Sequence, residues 1–243
     1  DGSALVSDPD WFEIGLEQET DWSAKWVSAP LLPLRRESWD PIPLIRHQFV
    51  LAAVPSRARV YASALGVYRL WINGQEATAQ SLFRPGWTDY RKRVLHQTYD
   101  VAALLQPGEN AVAVELSKGW YAGWLGLQRE PGFYGDQVAL RLQVEGDGVV
   151  IAATDETWKH STGEVIASDM LRGESQDLRQ AQDGWHSAGF NDADWPTVAV
   201  RGDIGLKVTP QSHDPVAIYQ EHPGRLVRAH ARGPAVYDFG QNI

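Results

Sequence analysis

Alternating apolar and polar residues mark several β-strands in the middle of the chain. In the clearest run, residues 138–145, apolar residues share one face and polar residues the other: Val138, Leu140, Leu142 and Val144 against Arg141, Gln143 and Glu145. A period of two residues is typical of a half-buried strand. The run therefore predicts a strand with one face in the core and a polar outer face.

Turn signals separate the predicted strands. Gly146-Asp147-Gly148 leads into Val149–Ile151, which predicts a hairpin, and Asn73-Gly74 ends a second strand-like run at 67–72. Runs at 59–65 and 111–117 alternate in the same way. Strands at intervals of about ten residues with turns between them predict one large antiparallel β-sandwich over residues 31–203.

Helical signals are short. Asp100 precedes an apolar stretch, 101–105, and can cap a single turn that Pro107-Gly108 ends. A second short turn is predicted at 191–195, with Asp192 accepting backbone donors and Trp195 packing beneath it. The fold class is therefore all-β with short helical turns.

The remaining segments divide the chain. Residues 1–30 form a lead-in, and 204–224, which contain three prolines, are predicted to be a linker. Residues 225–243 have the pattern of the opening strands of a second β-domain. The only methionine is Met170 and the last residues lie within a strand-like run, so we expect the sequence to be part of a longer protein.

Composition narrows the class of protein. The 243 residues include 22 Lys and Arg against 31 Asp and Glu, a net charge of -9, which argues against a nucleic-acid partner. A hydrophobic content of 43% gives enough apolar surface for a folded core. No apolar run is long enough to span a bilayer, and the absence of cysteine excludes disulfides, thiol nucleophiles and thiolate metal sites.

Motifs of catalysis are lacking. The seven histidines do not have zinc-ligand spacing, and the chain contains neither a Gly-x-Ser-x-Gly elbow nor a phosphate loop nor a dinucleotide fingerprint. Acidic residues are plentiful, but a glycosidase needs two carboxyls facing each other across a sugar, which sequence cannot place. We therefore assign no catalytic residue, no metal ligand and no cofactor.

Two segments are candidates for carbohydrate binding. The loop at 118–124 presents Trp120, Tyr121 and Trp124 between glycines, and flat aromatic faces suit the C–H faces of sugars. Residues 85–90, with Trp87, have the same character. Both segments fit equally well as aromatic packing in the core or between domains, with Trp87 as a plug of the sandwich.

A polar cluster at 172–179 is the third candidate. It offers Glu174 and Asp177 to a sugar or a calcium ion. The alternative is an ordinary loop in which Asp177 pairs with Arg172 or Arg179.

Four segments together carry a family resemblance: 65–74, 85–101, 119–123 and 237–243. In this order they resemble the N-terminal non-catalytic region of bacterial α-L-rhamnosidases, the inverting enzymes of glycoside hydrolase family 78. The resemblance implies a jelly-roll, galactose-binding-like sandwich. It also implies that the parent enzyme hydrolyses terminal α-L-rhamnosides with a general acid and a general base in an (α/α) barrel beyond Ile243. The expected partners are that downstream catalytic domain and an L-rhamnose-containing glycan.

Some relatives are similar to a calcium-dependent L-rhamnose-binding module, which is the alternative function. The resemblance places an acidic residue between the Asn-Gly turn and Pro-Gly-Trp, where this chain has Gln80 and Ser81 and no carboxylate. Calcium favours carboxylate ligands, so calcium is disfavoured here. A weaker alternative is an autonomous β-sandwich enzyme such as a polysaccharide lyase, which requires a cluster of Tyr, His or Arg.

Overall fold

A computed structural model describes residues 12–30, 40–126, 130–202, 204–229 and 233–241. Within them the strands, numbered in chain order, are β1 Val27–Ser28, β2 Pro43–Leu51, β3 Ala58–Leu65, β4 Val67–Ile72, β5 Gln75–Glu76, β6 Arg93–Asp100, β7 Gly108–Ser117, β8 Trp124–Leu125, β9 Glu130–Pro131, β10 Ala139–Gly146, β11 Val149–Ala153, β12 Lys159–Thr162, β13 Val165–Asp169, β14 Gly173–Gln176, β15 Ala199–Val200, β16 Lys207–Pro210, β17 Arg225–Arg228 and β18 Val236–Asp238. Helical structure in the described residues is limited to one α-helical turn, α1 Gly119–Ala122, and three 3-10 turns, Glu19–Asp21, Ala102–Leu104 and Leu178–Gln180.

Two main sheets form the sandwich. The larger has the order β15-β1-β10-β3-β6-β16, with β11 also paired to β10, and the smaller has the order β12-β2-β7-β4-β5. Their pairings are antiparallel except for β16, which runs parallel to β6. The predicted all-β sandwich is thus confirmed.

The main core lies between these sheets. Most of its buried residues come from β3 and β10 of the larger sheet and from β2, β4 and β7 of the smaller one, among them Val60, Ala62, Ala64, Leu140, Leu142, Val144, Ile45, Leu70, Ile72, Val112, Val114 and Leu116. Alternate positions along each strand supply them, as the period of two predicts.

The outer face of the larger sheet is also covered, which the alternation did not predict. The segment around Trp22 and Trp26 packs on it, and Gln143 is fully buried there. The Gln143 Oε1 atom accepts the backbone N–H groups of Ser23 and Ala24 at 2.7 and 3.2 Å. The prediction of a polar, half-buried strand at 138–145 is therefore wrong for its outer face, because a segment 120 residues away in the sequence covers it.

A loop covers the outer face of the smaller sheet. Trp71 and Trp185 pack edge to face with ring centroids 5.6 Å apart, and Phe190 and Trp195 lie against them. The predicted packing of Trp195 is confirmed. The Asp192 backbone carbonyl accepts the Trp195 N–H at 3.0 Å, as the predicted turn requires, whereas the Asp192 carboxylate accepts from the side chains of Arg46, Gln48 and Lys159.

The turns of both predicted hairpins, Asn73-Gly74 and Asp147-Gly148, have positive φ angles. Asn73 and Gly74 have φ angles of 50° and 84°, the left-handed values that a tight Asn-Gly turn requires. Asp100 Oδ1 accepts the Ala102 N–H at 3.2 Å at the start of the predicted short turn.

The end of the described chain has one more strand of the larger sheet and a separate pair of strands. After β16 joins the larger sheet, Leu82 and Val216 form an isolated antiparallel bridge, and β17 and β18 pair as an exposed hairpin. The predicted boundaries at 31 and 203 lie outside the described residues. No helix in the described ranges is long and apolar enough to cross a membrane.

Candidate functional site

A cleft of about 560 Å³ opens on the smaller sheet, beneath the β13–β14 hairpin. We call it the acidic cleft. Its floor comes from Arg69 on β4 and Glu115 on β7, and the loop 79–84 forms one wall. The opposite wall includes Glu164 and Glu174.

Four carboxylates line the acidic cleft: Glu76, Glu115, Glu164 and Glu174. Arg69 stands directly opposite Glu115 in the β4–β7 register and bonds two of them. Its Nη2 lies 2.8 Å from Glu76 Oε2, and its Nη1 lies 3.3 Å from Glu115 Oε2. These two carboxylates therefore share one guanidinium and do not face each other across open space.

The environment moves the two pKa values in opposite directions. Burial raises the pKa of Glu115, and the neighbouring glutamates add to this rise while Arg69 opposes it. The hydrogen bond from Arg69 lowers the pKa of Glu76. The cleft thus combines an ionised acceptor with a carboxyl that protonates more readily, and both can accept sugar hydroxyls.

Arg84 adds a buried cation to the wall. Its side chain donates to the backbone carbonyls of Tyr68, at 3.1 Å, and Thr78, and to the Ser81 hydroxyl. Burial lowers the pKa of Arg84. The Ser81 hydroxyl thus accepts a hydrogen bond from Arg84. Ser81 stands where a calcium-binding relative is expected to have an acidic residue. The described residues contain no group of three or more His, Asp or Glu placed to hold a metal ion.

An aromatic strip begins at the rim of the acidic cleft. Phe83 lines the cleft and lies 6.4 Å from Trp120, measured between ring centroids, and Trp120 stacks on Trp87 at 5.2 Å with an interplanar angle of 12°. Phe83 is 47% exposed and Trp87 60% exposed. Trp87 therefore does not plug the sandwich, and the strip of Phe83, Trp120 and Trp87 offers ring faces to solvent.

The candidate residues from the sequence fall in different places. Glu174 lies in the acidic cleft and Trp120 in the strip beside it. Tyr121 faces Tyr90 instead, with centroids 5.5 Å apart, because neighbouring residues of a helical turn point about 100° apart. Trp124 lies under the Arg172 guanidinium at 4.9 Å, and its backbone N–H donates to the Asp169 carboxylate.

Asp177 makes the ion pair with Arg179 that is expected of an ordinary loop. Its carboxylate pairs with the Arg179 guanidinium, at 2.7 Å, and accepts the Arg179 N–H. The hydrogen bonds from Arg179 and Gln180 lower the pKa of Asp177 to about 2. These contacts fix the start of the 3-10 turn at Leu178–Gln180.

Sequence reasoning missed Arg69, Glu76, Glu115, Glu164 and Phe83. A signal existed for Arg69 and Glu115, since each is the polar residue of an apolar strand. Bringing them together required the β4–β7 register, which the sequence does not specify.

The chain is similar in sequence to known alpha-L-rhamnosidases. The family model described as the alpha-L-rhamnosidase N-terminal domain matches residues 53–220. An alpha-L-rhamnosidase of Streptomyces avermitilis is 42% identical over 207 residues, which cover 82% of this chain and 20% of that protein. A second, from Alteromonas sp., is 28% identical over 98% of this chain and 27% of that protein. The chain thus spans about a fifth to a quarter of the length of these relatives.

Solved alpha-L-rhamnosidase structures are also similar to this chain. An alpha-L-rhamnosidase from Aspergillus terreus superposes with a TM-score of 0.87 at 32% identity, over 95% of this chain and 27% of the other. The Streptomyces avermitilis enzyme complexed with L-rhamnose gives a TM-score of 0.75 at 40% identity, over 84% and 20% of the two chains.

Proposed function

The chain belongs to the alpha-L-rhamnosidase N-terminal domain family, and we propose that it is the non-catalytic β-sandwich portion of an inverting α-L-rhamnosidase. The observation that carries the proposal is the family match over 53–220 in a chain that covers only 20% of its Streptomyces relative. The parent would hydrolyse terminal α-L-rhamnosides, with one carboxyl protonating the leaving oxygen and another activating water. We place both carboxyls in a downstream (α/α) barrel.

The proposal includes a division of the chain into domains. The sandwich predicted at 31–203 gains β1 and β16 in its larger sheet, so the proposed linker is the part of 204–224 that follows Pro210, and 225–243 begin a second β-domain. The β17–β18 hairpin supports this division, because an isolated two-stranded hairpin is marginally stable in water and its apolar residues are exposed. Leu226, Val227, Tyr237 and Phe239 are each at least half exposed.

Hydrolysis of a chromogenic α-L-rhamnoside tests the assignment. The 243-residue chain should be inactive, and the full-length parent should release the inverted sugar, as followed by proton NMR. Activity of the isolated chain that disappears in Glu115→Gln or Glu76→Gln would overturn the proposal, because the sandwich would then contain the reacting acids.

A second candidate function is sugar binding by the sandwich itself. The observation that favours it is that Phe83, at the end of the aromatic strip, and Glu174 line the same cleft. Ring faces can pack on the C–H face of a sugar while carboxylates accept its hydroxyls. Because the described residues show no metal-binding group, binding is expected to be independent of calcium.

Calorimetric titration with L-rhamnose, with calcium or with a chelator, tests this candidate. Phe83→Ala and Glu174→Gln should each weaken binding at least tenfold. Tyr219→Ala is the matched control, because Tyr219 is an aromatic residue that is 95% exposed and outside the cleft. Absence of binding in both conditions would eliminate this function and leave the scaffold role.

A further inference from the structure

A second cavity, of about 490 Å³, lies on the other side of the α1 turn from the aromatic strip. We call it the tyrosine cavity. It is lined by five side chains, those of Tyr90, Tyr121, Tyr134, Arg91 and Arg201, together with Gly202, Ile204, Gly205 and Leu206. Its volume is within the range of about 300–1,000 Å³ that is typical of small-molecule sites.

The three tyrosine rings hold one another in place. The centroid of Tyr90 lies 5.5 Å from that of Tyr121 and 5.2 Å from that of Tyr134. The buried Tyr90 hydroxyl donates to the Gly86 carbonyl at 2.8 Å. A side chain at Gly135 would place its Cβ only 2.2 Å from the Tyr121 hydroxyl oxygen, so the backbone closes tightly around that ring. The cavity wall is therefore largely preformed.

The described residues that line the tyrosine cavity include two arginines, whereas four carboxylates line the acidic cleft. None of the described lining residues is acidic, and Asp203, between Gly202 and Ile204, lies outside the described residues. Arg91 pairs with Asp89 at 2.8 Å and lies over the Tyr134 ring at 5.8 Å. Arg201 Nη1 donates to the Gln137 carbonyl at 3.1 Å and makes no ion pair with a described carboxylate.

The positive charge of Arg201 acts on the hydroxyl of Tyr121. Burial raises the pKa of Tyr121, Arg201 opposes that rise, and Asp136 adds to it to a smaller extent. Of the two charges that act on the Tyr121 hydroxyl, that of Arg201 has the larger effect, and it is positive. A guanidinium beside aromatic rings is suited to a planar anion carried on a ring.

We propose that the tyrosine cavity binds the carboxylate of an acidic sugar, a hexuronate unit of a glycan, with Arg201 and Arg91 contacting the carboxylate and the tyrosines contacting the sugar ring. The site is separate from the acidic cleft, whose four carboxylates would repel the same ligand. The proposal is independent of whether the parent protein cleaves rhamnosides.

An NMR titration of the 243-residue chain tests the proposal. D-Glucuronate and D-galacturonate are added to the ¹⁵N-labelled protein, with D-glucose and D-galactose as their neutral counterparts. At least one uronate should shift the amide signals of Gly205 and Leu206, with an affinity at least tenfold above that of its neutral counterpart. Added sodium chloride should weaken the binding, because the contact is between charges.

Variants then locate the binding. Arg201→Gln and, separately, Arg91→Gln should each weaken uronate binding at least tenfold, whereas Arg179→Gln, at an exposed arginine outside the cavity, should not. Circular dichroism of each variant checks its fold. Phe83→Ala should leave uronate binding unchanged, which separates this site from the acidic cleft.

Three results would overturn the proposal: no uronate binding, equal binding of acidic and neutral sugars, or binding that both Arg201→Gln and Arg91→Gln leave intact.

Discussion

Arg69 and Glu115 face each other across β4 and β7, and the Arg69 Nη1 donates to the Glu115 Oε2 atom at 3.3 Å. The contact does not fully offset the cost of burial, since the pKa of Glu115 is still raised. Glu76, on the other side of the same guanidinium, has a lowered pKa. Arg69 thus forms ion pairs with two carboxyls whose pKa values are shifted in opposite directions.

The two carboxyls should affect stability with opposite pH dependence. A raised pKa means that the folded state binds the Glu115 proton more tightly, so its contribution is present below 4.5 and is lost as the pH rises through the folded pKa. The contribution of Glu76 is present above 4.5 and is lost as the pH falls. From pH 3 to pH 7, Glu115→Gln should therefore gain stability relative to the wild type, and Glu76→Gln should lose it. Urea unfolding at both pH values measures this; changes of the same sign would contradict it.

Asp192→Asn should be strongly destabilising. Asp192 pairs with the fully buried Arg46 side chain, and removing one partner of a buried ion pair costs about 3–5 kcal/mol because the other charge stays uncompensated. The matched control is Glu156→Gln, which breaks the exposed Lys25–Glu156 pair and should cost far less, because solvent screens that pair. Urea unfolding measures both, and equal losses would contradict the assignment.

Local patterns predicted the strands well. The runs at 59–65, 67–72, 111–117 and 138–145 all lie in or nearly coincide with observed strands, because alternation depends only on neighbouring residues. The Asn73-Gly74 turn followed from the same local chemistry.

Long-range contacts were beyond the same reasoning. Gln143 is buried by a segment 120 residues earlier, and Arg46 meets Asp192, 146 residues later. Trp120 and Tyr121 were predicted to share one site, but the α1 turn directs them to different surfaces. Nothing in the local pattern distinguishes a loop there from a single helical turn.

Gly66→Ala should destabilise the protein more than Gly108→Ala. Both glycines have positive φ angles, 144° and 88°, so both substitutions introduce backbone strain of about 1–3 kcal/mol. An added Cβ at Gly66 would also lie 2.3 Å from the Ser117 carbonyl oxygen, whereas nothing lies within 4 Å at Gly108. Thermal unfolding of both variants measures the difference, and equal effects would show that the clash is relieved.

The aromatic strip should be dispensable for folding. Trp87→Ala is expected to cost no more than about 1 kcal/mol, because Trp87 is 60% exposed. Trp158→Ala should cost about 3–5 kcal/mol, because that tryptophan is fully buried and its indole N–H donates to the Ala153 carbonyl at 2.8 Å. Guanidinium unfolding followed by circular dichroism compares the two. A large loss in Trp87→Ala would mean that the strip supports the fold and is not an exposed binding surface.

His160 should make the protein less stable in mild acid. It is buried on β12, and neither ring nitrogen has a hydrogen-bond partner among the described residues, so burial lowers its pKa below 6.5. Above pH 6.5 the imidazole is neutral in both states; as the pH falls, the unfolded chain takes up the proton first and stability is lost.

His160→Leu should remove this part of the stability lost in acid. The unfolding free energy of the variant should therefore decrease less between pH 7.5 and pH 5 than that of the wild type. At pH 7.5 the substitution itself should cost no more than about 1.5 kcal/mol, because an apolar group replaces an imidazole without hydrogen bonds. His47 and His96, whose pKa values burial also lowers, are unchanged in the variant and keep their own contributions. Parallel pH profiles for the two proteins would show that His160 does not contribute to the acid response.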